Sequence, residues 1–102
     1  MNRILLTATV FVASLTMAGA VQAAGDVAAG KTKSAMCAAC HGANGQGVPP
    51  NPPLAGKPEA LQVQALKDYK SGSRANPVMK GITASLSDQD MEDLSAYYAS
   101  LK

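Results

Sequence analysis

The sequence predicts an all-α fold. Three stretches carry the composition or the apolar spacing of helices, a proline- and glycine-rich segment separates the first from the second, and no stretch alternates apolar and polar residues with a period of two. The 102 residues are 47% hydrophobic and show no internal repeat or charge run, which suits one small domain.

The leading residues stand apart from that domain. Asn2-Arg3 give a short basic start, Ile4 to Ala18 run apolar with only Thr and Ser interruptions, and Val21-Gln22-Ala23 suits a signal peptidase. A secretory signal peptide is expected over residues 1–23, with the domain over 24–102. The apolar run is shorter than the roughly 20 residues that cross a bilayer, so no stable membrane insertion is expected after cleavage.

Cleavage removes Arg3 and Phe11. Eight basic residues then face seven acidic ones, a balance that argues against a nucleic-acid partner. The aromatic side chains left are Tyr69, Tyr97 and Tyr98. A domain this small usually adds disulfides or a metal to its core, yet its two cysteines sit too close in sequence to close more than a tiny loop. A large hydrophobic cofactor remains as the means of filling the interior.

The first helix is expected from Asp26 to Ala39, where Ala, Lys, Met and Ser dominate and Asp26 serves as the N-cap. Gly42 to Lys57 follows as a loop, with glycines at 42, 45, 47 and 56 and prolines at 49, 50, 52 and 53. Pro58 suits the first position of a second helix, in which Leu61, Ala65, Leu66 and Tyr69 recur at helical spacing until Gly72. Ser71 to Ala84 reads as loop again. Ser87-Asp88-Gln89-Asp90 resembles a capping box, and a third helix runs from Asp88 to Leu101 with Met91, Leu94, Tyr97 or Tyr98, and Leu101 on its apolar face.

Cys37-Ala38-Ala39-Cys40-His41 is a C-x-x-C-H motif, the signature of covalent haem attachment. Two thiols one helical turn apart reach the two vinyl groups on one porphyrin edge, and the adjacent imidazole reaches the iron. Ala38 and Ala39 are small enough to let that edge lie against the backbone. A thioredoxin-like redox pair needs a βαβ pattern that this sequence lacks. Structural zinc needs four ligands, and a plain disulfide leaves His41 unexplained. Gly25 to Thr32 also satisfies G-x-x-x-x-G-K-[ST], but a phosphate-binding loop follows a buried strand and this segment follows an expected cleavage site.

With Gly25-Asp26 and Gly30-Lys31 ahead of the haem motif, Pro52-Pro53-Leu54-Ala55-Gly56, Asn76-Pro77-Val78-Met79, and Leu86-Ser87-Asp88 leading to Tyr97-Tyr98, the chain resembles class I c-type cytochromes. The likeness is to the small bacterial periplasmic mono-haem type, built like a single lobe of the dihaem cytochromes. The resemblance implies the cytochrome c fold, three main helices wrapped around one covalently bound haem c. It makes Met79 the second axial ligand beside His41, and Met36 and Met91 are placed less suitably, next to the haem-bearing turn and on a helix.

The same resemblance maps a Pro-x-Leu pattern onto Pro52, whose carbonyl accepts from His41 Nδ1, and Leu54, which covers the haem. Pro50 and Pro53 remain alternatives for that proline. Gly30 is expected against Tyr97 or Tyr98, and Arg74 either pairs with a haem propionate or is a solvated surface residue. The implied function is one-electron transport in the periplasm, between respiratory or dehydrogenase partners that dock transiently. No enzymatic activity and no small-molecule substrate are implied. The alternative is a cytochrome subunit of a larger periplasmic oxidoreductase complex. A four-helix gas sensor is disfavoured because such proteins carry the haem motif near the C-terminus.

Overall fold

The computed structural model describes residues 9–10 and 24–102; the expected signal peptide otherwise lies outside the described residues. Among the described residues five helices follow in order: α1 (Val27–Lys33), α2 (Ala35–His41), α3 (Glu59–Ser71), α4 (Pro77–Thr83) and α5 (Asp88–Ser100). Among the described residues the only extended pairing is the isolated bridge between Val48 and Asn51. None of these helices is long and apolar enough to cross a membrane.

The single helix expected from Asp26 to Ala39 is two. Asp26 caps α1, its carboxylate accepting from Ala29 N at 3.0 Å. At Ser34 the hydroxyl donates back to the Lys31 carbonyl at 2.6 Å and Cys37 N donates to the Ser34 carbonyl at 2.9 Å, a tight turn that separates α1 from α2. Helix α2 continues past Ala39 and carries the whole Cys37 to His41 motif. Gly42 stops it at φ +94°, a conformation that a side chain would strain.

Pro58 is the N-cap of α3 rather than its first residue, and Gly72 closes the helix in the left-handed conformation, its N–H donating to the Tyr69 carbonyl. The stretch expected as loop from Ser71 to Ala84 contains α4. Asn76 caps that helix, its side-chain oxygen accepting from Met79 N at 3.0 Å, and Pro77 opens it with a fixed φ and no N–H to satisfy. Helix α5 has the expected capping box: Ser87 Oγ accepts from Asp90 N, and the Asp90 carboxylate accepts from Ser87 N.

Helix α5 is the spine. Its Met91, Leu94, Tyr97 and Tyr98 form the buried core with Leu86, and Leu54, Leu66, Leu101 and Cys37 pack against that cluster. Gly30 brings α1 directly onto α5: a Cβ there would lie 2.0 Å from the Asp93 carbonyl oxygen and 2.7 Å from Tyr97 Cβ. Tyr97 is therefore the aromatic that Gly30 meets. The G-x-x-x-x-G-K-[ST] segment is accounted for by this crossing, with no strand before it among the described residues.

Candidate functional site

A cavity of about 600 Å³ opens between α2, the proline-rich loop and the three later helices. Helix α2 contributes Met36, Cys37, Cys40 and His41 to its wall. The loop adds Pro52 and Leu54, α4 adds Val78, Met79 and Ile82, and α5 adds Leu94, Ser95 and Tyr98. Cys37, Cys40, His41, Pro52, Leu54 and Met79 thus line one cavity.

His41 is buried, and its Nδ1 lies 2.7 Å from the carbonyl oxygen of Pro52. A carbonyl has no proton to give, so Nδ1 carries the proton and Nε2 keeps its lone pair for a ligand. Pro50 and Pro53, the other prolines open at the sequence level, make no such contact with the ring. Asn51 reinforces the same loop by donating from Nδ2 to the Cys40 carbonyl at 2.9 Å, one of the acceptors that the end of α2 leaves free.

The two cysteines form no disulfide with each other; Cys37 is half-buried and Cys40 exposed. Burial pushes the Cys37 thiol up from its ordinary value, opposed by a hydrogen bond from the Tyr98 hydroxyl. The Tyr98 phenol is pushed up in turn, first by its own burial and then by Cys37. Among the described residues no group of three or more His, Cys, Asp and Glu side chains is placed to hold a bare metal ion.

Met79 sits in the first turn of α4, half-buried, where the sequence reading had put it on a loop. Thr83, fully buried, donates to the Met79 carbonyl at 2.8 Å, so the methionine backbone is held by Asn76 from one side and Thr83 from the other. Arg74 lines the cavity with its guanidinium 5.0 Å from the centre of the Tyr69 ring.

Residues 27–102 match the Cytochrome c family. The chain belongs to the cytochrome c family. Over 103 aligned residues it is 44% identical to cytochrome c4 of Pseudomonas aeruginosa, covering 100% of this chain and 50% of that protein. It is 43% identical to cytochrome c-554(547) of Halothiobacillus neapolitanus, covering 78% of this chain and 100% of the relative. The crystal structure of reduced recombinant cytochrome c4 from Pseudomonas stutzeri superposes with a TM-score of 0.73 at 43% identity, covering 78% of this chain and 47% of that one. The chain spans about half the length of the cytochrome c4 relatives it matches.

Family membership brings haem c, an iron porphyrin bound covalently, and the cavity fits it. Met36, Leu61 and Val78 are 43%, 67% and 68% exposed, and all three line the cavity, so a flat apolar group seated there covers side chains that otherwise face water. The wall carries two thiols, an imidazole and a thioether, a donor set that suits haem.

Sequence reasoning missed several residues. Gln62 was passed over, yet it is buried and donates from Nε2 to both the Leu54 and Lys57 carbonyls, at 3.1 and 2.8 Å, pinning the loop to α3. Leu61, one of the apolar residues at helical spacing on α3, lines the cavity and is exposed. Asn51, Thr83 and Ser95 gave no signal, because single polar residues acquire such roles only through tertiary contacts.

Proposed function

We propose that the chain is a periplasmic mono-haem cytochrome that carries single electrons between redox partner proteins. The observation that supports this most strongly is the shared wall: Cys37, Cys40, His41 and Met79 line one apolar cavity, and the Pro52 carbonyl fixes the imidazole tautomer.

In this reading Cys37 and Cys40 hold the porphyrin edge through thioethers. His41 Nε2 and Met79 Sδ would hold the iron, and Leu54 would lie against the ring. The bound haem supplies a one-electron iron couple. The protein's task is to keep the coordination the same in both oxidation states. Helix α2 fixes His41, the Pro52 carbonyl holds its ring plane, and the Asn76 and Thr83 contacts fix the backbone of Met79. A soft thioether together with imidazole would favour the reduced iron and leave no position for a substrate. The domain needs no general base for this work.

The test is a reduced-minus-oxidised optical spectrum of the purified protein and of Met79→Ala. Low-spin His/Met features are expected in the wild type and absent from the variant. Wild-type ferrous protein should fail to bind carbon monoxide. A colourless protein, or rapid carbon monoxide binding by the wild type, overturns the reading.

A further inference from the structure

The eight basic and seven acidic side chains of residues 24–102 nearly cancel, yet they are sorted along the chain. From Gln62 to Leu86 the basic residues are Lys67, Lys70, Arg74 and Lys80, and Asp68 is the only acidic one. From Ser87 to Lys102 the acidic residues are Asp88, Asp90, Glu92 and Asp93, and Lys102 is the only basic one. The fold gathers the first group. Lys67 and Lys70 lie three positions apart on α3, and Arg74 follows the Gly72 cap with its guanidinium over the Tyr69 ring. Lys80 returns on α4 with its Nζ 3.3 Å from where a Gly72 Cβ would stand.

Among the described residues none of these four cations is paired with a carboxylate, since the ion pairs belong to Lys33, with Asp90 and Asp93. The Asp68 carboxylate accepts instead from Gln64 Nε2 at 2.8 Å. Lys70, Arg74 and Lys80 are exposed. One cation would serve the free carbonyls at the end of α3, and Lys70 also donates to the Leu86 carbonyl. The rest leave a positive face. Within it Val78 is 68% exposed and lines the cavity beside Met79.

We propose that the corner of α3 and α4, with Lys67, Lys70, Arg74 and Lys80 around Val78, is the surface on which a redox partner protein docks through an acidic patch of its own. The inference rests on the electron-carrier reading above. Unpaired surface charges of one sign speed the encounter with the opposite sign by about 10–1000-fold at low salt, and screening over about 10 Å at 0.1 M removes most of that gain. A partner seated on Val78 also stands next to the proposed iron ligand. An anionic membrane fits less well, because interfacial helices bury a broad apolar face, whereas α4 has seven residues and Val78 is its one exposed large apolar side chain.

The experiment compares haem-loaded wild type, Lys80→Glu, Lys80→Gln and Lys31→Glu. Lys31 lies on α1, and its reversal changes the net charge as much as that of Lys80 does. Stopped-flow oxidation of the ferrous proteins by hexacyanoferrate(III), which takes one electron and becomes hexacyanoferrate(II), is followed across ionic strength. At low salt Lys80→Glu should be slower than wild type by about fivefold, Lys31→Glu by about twofold or less, and Lys80→Gln should fall between wild type and Lys80→Glu. Polyglutamate added to the ferrous wild type should shift amide resonances of residues 67–80 and not those of α1. Equal slowing by Lys80→Glu and Lys31→Glu overturns the proposal, because net charge alone then acts. Polyglutamate shifts that are absent or spread over the domain overturn it too, and binding to phosphatidylglycerol vesicles without them would assign the face to a membrane. A wild type without a haem spectrum, or one that hexacyanoferrate(III) does not oxidise, sinks the carrier reading itself, which separates the two failures.

Discussion

Lys33 Nζ lies 2.6 Å from Asp93 Oδ2 and ties α1 to α5. The Asp93 side chain is only 4% exposed, and its other oxygen accepts from Asp26 N and Gln89 Nε2, each at 2.8 Å. The Asp26 N–H, then Lys33, hold the Asp93 carboxyl down to about 2. An ordinary aspartate in the unfolded chain titrates near ~4, so this site's contribution is fully present above about pH 4 and is lost as pH falls toward about 2.

Asp93→Asn should therefore flatten the dependence of stability on pH across that acid window. Asp93→Ala removes the acceptor shared by Asp26 N, Gln89 Nε2 and Lys33 Nζ, donors that water can reach, and should cost about 1 kcal/mol at neutral pH. Thermal melts between pH 2 and 7 check both, and an Asp93→Asn profile that parallels the wild type rules out this role.

Gly30→Ala sets two effects against each other. Alanine is a better helix former by about 1 kcal/mol, but its Cβ would sit 2.0 Å from the Asp93 carbonyl oxygen and 2.6 Å from the carbon. Backbone atoms cannot rotate away as a side chain can, so the crossing of α1 and α5 must open. Overpacking of this kind costs about 1–3 kcal/mol or more, and the variant should lose about 2 kcal/mol net in urea unfolding. A wild-type midpoint would mean that the two helices slide apart freely.

How much of this was legible follows the range of the interactions. The caps Asp26 and Ser87, the stop at Gly72 and the haem motif are local chemistry, readable within a few residues. The break at Ser34 was not, because Ala, Lys and Met on both sides favour a helix and only a backbone turn divides it. Helix α4 was missed for a different reason: seven residues containing Pro77 and Gly81 look like loop, although Asn76-Pro77 is itself a helix start signal. The near-balance of charge said nothing about Lys33 and Asp93, which meet across 60 positions. Gln62 and Ser95 were invisible because a lone polar residue in a helix reads as solvated until the fold buries it.

Gln62→Leu keeps much of the side-chain volume and removes the donor shared by the Leu54 and Lys57 carbonyls. Those bonds hold the segment that follows Pro52, so their loss should cost about 1–2 kcal/mol and speed amide exchange in the loop around Leu54. Exchange measured by NMR on the haem-loaded protein should show the change concentrated there, with α1 and α5 unaffected. Uniform acceleration across the domain would instead mark Gln62 as a general core residue.

Asn76→Ala tests how Met79 is held. The Asn76 side chain accepts from Met79 N at 3.0 Å, and losing an N-cap costs about 1 kcal/mol. Because the capped N–H belongs to the proposed ligand, the cost falls on the coordinated state rather than on the fold as a whole. Imidazole added to the ferric protein should then displace Met79 more readily, with an apparent affinity about fivefold higher than in the wild type. Asn76→Asp, which preserves a capping oxygen, should return the affinity to near the wild-type value. Titration followed at the sulfur-to-iron charge-transfer band reads both variants directly. Equal imidazole affinity in wild type and Asn76→Ala would show that the cap does not restrain the thioether, leaving the Thr83 bond to the Met79 carbonyl as the remaining hold on that turn.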